Sequence, residues 1–483
     1  MTLLSALAAV SRDHCLVLPE PVLQQLVHML AADPTRIAAG VVRLRTTPTS
    51  REYLLEQVEE SAGTPPMQAR AALETWCLVT GVSPGTVPEP LHQFVTRSGR
   101  AAGQRVVAVR LDPRRRGWWE GTVFDELGAF PVTQIRAVGR GLLVLERGRD
   151  SAGDLGPNPT LSTATGGSGA TEQQASLSGE ESRGAAGAAG ERLVDGATER
   201  STGRDSRTRG ALGARVAERL RRATVTLVGA GRNGTQLAQQ LASLGIGRLR
   251  ILDPDTLHPE NLDGVVGLAA ADVGRLKVEA LARSLHAYRP ELPLVLAPRS
   301  TRERGGTEFL AERSDLLVTC VDDDLPRVLV ALAARQSLTP HLDVGTRVVR
   351  AGAGLQLAGD ARLLLPGRGC VLCVGGVADL PGVLRDLRLP AGALLTRSRR
   401  PWHTQRSGSL VTINALAVGA GVQLWLDLAA GGLGQSYWQR LAWQPGAGLQ
   451  ADGGGVSAEP GCVLCERGQL PDGKGAESRR LVR

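Results

Sequence analysis

Near the middle of this chain, a short β-rich run leads through a glycine-rich turn into an amphipathic helix, which is the order that a dinucleotide-type phosphate site needs. The run covers residues 224–228, and the turn reads Gly-Ala-Gly-Arg-Asn-Gly. In this order Gly229 can take the tight turn, Gly231 lets backbone N–H groups approach a phosphate, and Gly234 permits close packing of the helix. The phosphate would lie at the helix N-terminus. A Rossmann-type turn that binds no ligand is the alternative interpretation.

An acidic residue follows the next predicted strand. This strand, residues 248–252, ends at Asp253, about 20 residues after the glycines, where a carboxylate can accept hydrogen bonds from ribose hydroxyls. The position predicts a nucleotide site rather than a site for bare phosphate. Helix and strand patterns alternate on both sides of this region. They predict an α/β domain with a Rossmann-like, mostly parallel sheet and with the motifs at strand ends on one sheet edge.

Further polar motifs follow at increasing distance from the turn. They are Asp255, an Asn-Leu pair at Asn261, Lys277 and the aspartate run 322–324. Together with the glycines, this order resembles the ThiF/MoeB/HesA family, the bacterial relatives of ubiquitin-activating enzymes, over roughly residues 211–465. The resemblance implies a domain that uses ATP and Mg²⁺ to adenylate the C-terminal glycine carboxylate of a ubiquitin-like or sulfur-carrier protein with a Gly-Gly C-terminus.

The resemblance also implies roles for individual residues of the nucleotide site. Asp253 would hold the ribose, with Asp255 beside it. Asn261 and Lys277 would contact the phosphates, and Asp322 would hold Mg²⁺. Lys277, Asp322 and Asn261 would carry catalysis. Attack of a carboxylate on the α-phosphate brings anions together, so a cation, a metal ion and backbone dipoles are needed to offset the charge of the transition state.

The sequence supplies independent support for Lys277. The chain uses arginine almost everywhere, and its only other lysine is Lys474, which favours a requirement for a compact point charge at this position. A solvated lysine on a helix spanning residues 272–286 is the alternative. For the aspartate run, the alternative is a solvated loop at a strand end.

One position departs from the pattern of the relatives. They usually carry an arginine two residues after the Asn-Leu pair, where it contacts the ATP phosphates, and this chain has Gly264 there. Loss of a guanidinium group removes a charge-assisted contact. Either Arg232, Arg275 or an arginine of a partner subunit replaces it, or adenylation is weak or absent.

Two identical Cys-Val-Leu-Cys segments predict a metal site in the C-terminal part of the chain. Two such pairs supply the four thiolates that a tetrahedral structural Zn²⁺ site requires, and the family carries a structural zinc in this arrangement. Two reduced pairs or redox disulfides are the alternatives. Cys15, Cys77 and Cys320 are predicted to be structural residues. The predicted zinc ligands are Cys370, Cys373, Cys462 and Cys465.

The sequence has no cysteine between residues 374 and 408, where thioester- or persulfide-forming relatives place a reactive one. This segment is basic instead, with Arg397 and Arg400 among its arginines, and either guides an acidic carrier tail or is a flexible solvated loop. We therefore expect an adenylate that is not passed to an enzyme thiol. The alternative is a catalytically weak ThiF-fold scaffold that binds a peptide or ubiquitin-like partner for another enzyme. An NAD-dependent oxidoreductase shares only the glycine turn.

Composition divides the chain into three parts. Residues 1–148 have mixed strand and helix patterns and are predicted to form a smaller α+β recognition domain. Its layout resembles the JAB/MPN isopeptidase fold. The segment around Asp112 lacks the histidines of that fold's zinc site, so we expect a metal-less module or an unidentified recognition or dimerisation domain. Residues 149–210 have almost no large apolar side chains and are predicted to be a disordered linker. Residues 211–483 form the predicted adenylation domain.

Composition and charge argue against several other classes of protein. The net charge of +8 comes from dispersed arginines that do not alternate with aromatic residues, so nucleic-acid binding is not expected. Polar residues interrupt the apolar stretch 410–430, which favours a buried helix over a membrane span. Residues 1–10 lack the basic start of a secretory signal, and we expect a cytoplasmic protein. A homodimer is implied by the family resemblance only.

Overall fold

The structure, a computed structural model, contains two β-sheets and the helices that pack on them. The described residues are 13–33, 36–46, 50–61, 75–80, 105–111, 119–125, 128–139, 143–146, 205–351, 354–386, 410–462 and 464–465. Most of the predicted linker, 149–210, lies outside this set, and a helix begins within its last residues at Ser206. The division into three parts stays a prediction.

Seven strands of the N-terminal sheet form a closed ring. The elements of this sheet are β1 (Asp13–Pro19), α1 (Glu20–Ala32), β2 (Ile37–Thr46), β3 (Ser50–Leu55), β4 (Glu59–Ser61), β5 (Thr75–Thr80), β6 (Arg105–Leu111), β7 (Trp119–Asp125), β8 (Gly128–Val138) and β9 (Leu143–Glu146). β1 pairs in parallel with both β3 and β8, and the order β3-β2-β5-β6-β7-β8 completes the circuit. Leu26 and Leu30 of α1, together with Tyr53 and Trp119, are buried in its core.

The C-terminal sheet has eight strands and nearly all the described helices. Its first elements are α2 (Ser206–Leu212), α3 (Ala214–Arg222), β10 (Thr224–Val228), α4 (Arg232–Ser243), β11 (Arg248–Leu252), α5 (Lys277–Tyr288), β12 (Leu294–Ala297), α6 (Arg304–Ala311), β13 (Leu316–Thr319) and α7 (Asp324–Gln336). The elements that complete it are β14 (His341–Ala351), β15 (Gly354–Leu364), α8 (Leu380–Asp386), α9 (Val411–Ala430), β16 (Ser436–Gln444) and β17 (Gly448–Val456).

The strand order of this sheet creates a place for a ligand. The order is β12-β11-β10-β13-β14-β15-β16-β17. Neighbouring strands from β12 to β14 pair in parallel. The pairs β14–β15, β15–β16 and β16–β17 are antiparallel. The order reverses between β10 and β13, and open parallel sheets bind ligands outside the carboxyl ends of the strands at such a point. The predicted α/β Rossmann-like sheet is confirmed, with a larger antiparallel part than expected.

Helix α9 accounts for the apolar stretch 410–430. Its length and composition alone would allow it to cross a membrane, but 56% of its most apolar window is buried inside the structure. Ala417, Val418 and Trp425 of α9 are fully buried in the main core of this sheet. This burial is what the core helix of a folded domain shows.

The N-terminal sheet contacts the amino ends of β13 and β14. Leu338, which precedes β14, is fully buried and has a φ of +50°, and it packs among Cys15, Val17 and Leu54. The side chain of Leu338 thus joins the apolar cluster of the other sheet.

Charged groups also join the two sheets. Arg136 of β8 forms ion pairs with Asp315, which precedes β13, and with Glu52 of β3. Nη1 of Arg335, near the end of α7, lies 2.8 Å from a carboxylate oxygen of Glu56. Burial alone would lower the pKa of Arg136, but the charges of its acidic partners outweigh this and raise it. The contact between the two sheets therefore combines ion pairs, one of which involves the buried side chain of Arg136, with a buried apolar cluster.

Candidate nucleotide and metal sites

The glycine turn connects β10 to α4 with little spare space on two sides. Gly229 has a φ of +97°, and a Cβ atom there would lie 2.6 Å from the carbonyl oxygen of Cys320. A Cβ at Gly234 would overlap the carbonyl oxygen of Gly229, so α4 packs directly on the turn. At Gly231, the N-cap of α4, no atom of the described residues other than Gly231 and its two chain neighbours lies within 4 Å of the Cβ position. The open side faces the helix N-terminus, and this shape fits a phosphate.

Asp253 lies at the carboxyl end of β11, next to the turn. Its Oδ2 accepts the N–H of Ala230 at 2.6 Å, and its Oδ1 accepts the N–H of Asp255 at 2.9 Å. Burial raises the pKa of Asp253, and the charge of Lys277 opposes this. The two hydrogen bonds fix the carboxylate between the turn and the next loop. Each oxygen keeps a lone pair that a ribose hydroxyl can use.

Lys277 is placed among these carboxylates. Its Nζ donates to Oδ2 of Asp255 at 2.8 Å, and its side chain is only 12% exposed. Burial alone would lower the pKa of Lys277, but the charges of Asp253, Asp255 and Asp322 outweigh this and raise it. The ammonium group therefore stays protonated at neutral pH and does not extend into bulk solvent.

The helix that carries Lys277 starts later than the sequence predicts. The predicted range, 272–286, is wrong at its start, because α5 begins at Lys277 itself. An isolated bridge pairs Thr256 with Leu276 immediately before the helix, and the N–H of Lys277 donates to the carbonyl of Asp255 at 2.8 Å. This pairing between distant segments brings Lys277 to the site, and a local helical pattern does not reveal it.

Asn261 shapes the loop that follows Asp255. It ends a 3₁₀ turn, and its Oδ1 accepts the N–H of His258 at 2.9 Å. Its backbone carbonyl accepts the N–H of Gly264 at 3.1 Å. Asn261 therefore folds residues 258–264 into a compact loop, and its contact with phosphate stays a prediction.

The three consecutive aspartates after β13 have different surroundings. Asp323 caps α7 by accepting a backbone N–H of its first turn at 3.1 Å. Asp324 accepts the backbone N–H groups of residues 378 and 379, both at 2.9 Å. Asp322 is exposed and close enough to Lys277 to contribute to the raised pKa of that lysine. Two of the carboxylates thus bond to backbone, and the exposed third one adjoins the predicted site.

The loop position that lacks the relatives' arginine is covered by another arginine. Gly264 is buried against Arg232, and a Cβ at Gly264 would lie 2.5 Å from Cζ, Nε and Nη1 of that side chain. Arg232 also forms an ion pair with Asp263. Arg275 instead has a half-exposed side chain whose Nε is 4.0 Å from Asp272. Of the two arginines considered from the sequence, Arg232 is the one in contact with Gly264.

A buried polar network that the sequence analysis missed lies at the end of β13. Thr319 donates to Asp343 at 2.6 Å and accepts from Nε2 of His341 at 2.9 Å, and Arg362 donates to Asp343 at 2.7 Å. Burial lowers the pKa of His341 to about 4. Burial would raise the pKa of Asp343, but the charges of Arg327 and Arg362 hold it below its ordinary value. Two polar residues at i and i+2 in a buried strand were the available signal.

The four C-terminal cysteines meet in one cluster. Their sulfur atoms lie within 4.8 Å of one another, and the cluster consists of Cys370, Cys373, Cys462 and Cys465. Neighbouring sulfur atoms are 3.6–3.7 Å apart, whereas a disulfide bond measures about 2.05 Å. A tetrahedral zinc with Zn–S bonds of about 2.3 Å has sulfur–sulfur edges of about 3.8 Å. The cluster could therefore hold zinc. Val371 and Leu464, which lie inside the two pairs, are buried in the same apolar cluster as α7.

The other predicted features divide between the core and the undescribed part of the chain. Cys15, Cys77 and Cys320 are buried, and burial raises the pKa of the Cys77 and Cys320 thiols. Asp112 of the predicted JAB/MPN-like segment and residues 387–409 of the basic loop lie outside the described residues.

Comparison with known proteins identifies the C-terminal part. Residues 205–385 match the model of the ThiF family, so this region is a ThiF family domain. The chain is 28% identical over 169 residues to the SAMP-activating enzyme E1 of Haloferax volcanii. This alignment covers 35% of this chain and 59% of that relative. The chain is 33% identical over 117 residues to the sulfur carrier protein adenylyltransferase of Thermus thermophilus, which covers 24% of this chain and 43% of that relative.

The chain thus spans less than two thirds of either relative. Among solved structures, E. coli MccB with MccA-N7isoAsn has a TM-score of 0.43 at 20% identity, covering 55% of this chain and 76% of that chain. The family match confirms the resemblance predicted from the glycine turn, the aspartates and the lysine.

Proposed function

We propose that the ThiF family domain of this chain is an adenylyltransferase that uses ATP and Mg²⁺ to activate the C-terminal glycine carboxylate of a ubiquitin-like or sulfur-carrier protein. One observation carries the proposal: Asp253, Lys277 and Asp322 lie together beside the glycine turn at the carboxyl ends of parallel strands, where the strand order reverses. The names of the relatives, an E1 activating enzyme and a sulfur carrier protein adenylyltransferase, support the same class of substrate.

The chemistry requires positive charge around the phosphates. A carboxylate oxygen of the carrier attacks the α-phosphorus of ATP, the bond to pyrophosphate breaks, and an acyl-adenylate forms. Asp253 orients the ribose, while Lys277 and the N–H groups at the start of α4 offset the charge that develops on the phosphate oxygens. An exposed carboxylate such as Asp322 is a ligand type that Mg²⁺ prefers. Bound there, Mg²⁺ supplies further charge neutralisation.

The acyl-adenylate is proposed to pass directly to another protein, without an enzyme thioester. The chain has seven cysteines; three are buried and four form the zinc-type cluster. A nucleophilic thiol must be accessible and readily ionised, and burial raises the pKa of Cys320, the cysteine nearest the glycine turn. We further propose that the protein acts in the cytoplasm as a homodimer with one structural zinc per chain.

The test is ATP–pyrophosphate exchange with purified protein, Mg²⁺ and a small carrier protein that ends in Gly-Gly. We expect exchange that requires the carrier and disappears when its last glycine is deleted. Mass spectrometry should detect an adenylated carrier and no covalent carrier–enzyme adduct. A thiol-sensitive adduct would contradict the thioester-free route while leaving adenylation intact.

The second candidate function is a scaffold that binds a peptide or ubiquitin-like partner without activating it. Gly264 favours this alternative, because the loop itself no longer supplies the relatives' guanidinium group. Carrier binding in the absence of any exchange, with ATP binding retained, would establish the scaffold and overturn the enzymatic proposal.

A further inference from the structure

Two positions far apart in the sequence depend on each other next to the glycine turn. Arg232 is the first residue of α4, and its guanidinium group fills the space where the side chain of residue 264 would start. A Cβ at 2.5 Å from three atoms of this guanidinium group, which is the end of a flexible side chain, would move the group away from its present place. An arginine at position 232 in this conformation therefore requires glycine at position 264.

The place that Arg232 occupies is suited to an anion. The residue belongs to the turn whose backbone N–H groups and helix N-terminus already favour negative charge, and its side chain is 27% exposed. Its ion-pair partner Asp263 is 70% exposed. The partner is therefore a solvated carboxylate on a surface loop, which contributes little to folding stability and can be exchanged for another anion.

The charge balance of the proposed nucleotide site points the same way. Asp253, Asp255 and Asp322 bring three carboxylates to the region of Lys277. A bound triphosphate adds several more negative charges. A guanidinium group presents a planar fork of donors that matches phosphate oxygens, and Arg232, whose backbone belongs to the turn, places one against Gly264.

We propose that Arg232 is a phosphate-binding residue of this domain. Because Gly264 has no side chain, it leaves room for a guanidinium group that reaches the phosphates from the glycine turn instead of from the loop. Without nucleotide, Asp263 holds the guanidinium group; with nucleotide, a phosphate takes the place of that carboxylate. This inference rests on the proposed nucleotide site and adds to it a residue and a position.

The test compares dissociation constants for ATP and adenosine by calorimetry, together with melting temperatures, for the full-length chain. Arg232→Gly should weaken ATP binding by roughly 10- to 100-fold, the effect of losing one charge-assisted contact, and leave adenosine binding unchanged. Asp263→Asn removes the competing carboxylate and should tighten ATP binding. The double variant Arg232→Gly/Gly264→Arg moves the guanidinium group to the loop and should recover most of the lost ATP affinity.

The outcomes separate this inference from the proposed function. If wild-type protein binds ATP and Arg232→Gly binds it equally well, the role of Arg232 is refuted while the nucleotide site stands. If Arg232→Gly and Asp263→Asn weaken ATP binding together and lower the melting temperature equally, the pair is a structural clamp and the inference fails. If wild-type protein binds no ATP, the nucleotide site and this inference both fail.

Discussion

The ammonium group of Lys277 lies 2.8 Å from a carboxylate oxygen of Asp255, although 22 residues separate them in the chain. The lysine side chain is nearly buried, whereas that of Asp255 is 62% exposed. The exposed acid therefore holds a desolvated cation in a fixed position next to the glycine turn. A charge that is positioned in advance needs little reorganisation when phosphate charge develops, which is the condition for electrostatic catalysis.

Replacement of this cation should strongly slow the proposed reaction. We expect Lys277→Ala to lower the rate of ATP–pyrophosphate exchange by roughly 100-fold or more, because a preorganised charge next to the phosphates is lost. Lys277→Arg should recover only part of the rate, since a planar guanidinium group does not replace a compact ammonium ion. Lys474→Ala removes the only other lysine and is the matched control. Equal rates for all three variants would show that Lys277 has no role in the reaction.

Asp322 and Asp324, two of the three aspartates after β13, should give different phenotypes when they are replaced. Asp322→Asn should raise the Mg²⁺ concentration needed for exchange and lower its rate by roughly 100-fold, while the melting temperature stays near wild type, because this side chain is exposed. Asp324→Asn weakens the acceptor of two backbone N–H groups. It should lower the free energy of unfolding by about 1–3 kcal/mol, and the melting temperature with it. A magnesium titration of both variants decides the assignment. The opposite pattern would place the metal ligand at Asp324.

Loss of the proposed zinc from the cysteine cluster should loosen the part of the chain around the cluster. We expect one zinc per chain by elemental analysis, and loss of zinc together with several kcal/mol of stability in Cys373→Ser. Because the cluster packs against α7, loss of zinc should also disturb the segment around Asp322, which precedes this helix. Cys77→Ala, at a buried cysteine of the other sheet, should keep its zinc. A stable, zinc-free wild-type protein would exclude a structural metal.

The buried histidine of the polar network should make the domain sensitive to acid. The pKa of His341 falls from 6.5 to about 4 in the folded protein, and its buried Nδ1 has no hydrogen-bond partner among the described residues, so a proton there would be poorly solvated. As pH falls from 6.5 to 4, His341 becomes protonated in the unfolded chain but stays largely neutral in the folded chain. Stability should therefore drop by about 3 kcal/mol over this window.

Chemical denaturation at several pH values measures this effect. His341→Gln keeps a neutral donor near Thr319 and should lose about 3 kcal/mol less than wild type between pH 6.5 and 4. Above pH 7 the two proteins should respond to pH in the same way. Parallel pH profiles over the whole range would contradict the lowered pKa.

Local patterns in the sequence predicted the parts of the fold that local patterns determine. Strands 224–228 and 248–252 were predicted with their exact limits, because short apolar runs end there at Gly229 and Asp253. The start of α5 was wrong, since the pairing of Thr256 with Leu276 overrides the helical pattern. The close contact between Arg232 and Gly264 could not be predicted from local patterns either, because the two residues lie in different elements and share no periodicity.

Residues of the candidate site could be selected from the sequence where a residue type is chemically unusual for its position. Lys277 is distinctive in an arginine-rich chain, and paired cysteines have a characteristic spacing. The aspartate run shows the limit of this approach, because its three identical side chains differ in their surroundings in the folded chain. Asp323 accepts a backbone N–H and pairs with Arg302. Asp324 accepts two backbone N–H groups, and Asp322 is exposed near Lys277. Tertiary contacts decide such roles, and a single sequence does not encode them locally.

The insertion of Leu338 into the apolar cluster of the N-terminal sheet distinguishes the two ends of the parallel strands. That sheet is anchored at the amino ends of β13 and β14, whereas the glycine turn and the aspartates lie at the opposite ends of the parallel strands. The contact with the N-terminal sheet and the candidate nucleotide site therefore use opposite ends of the same set of parallel strands.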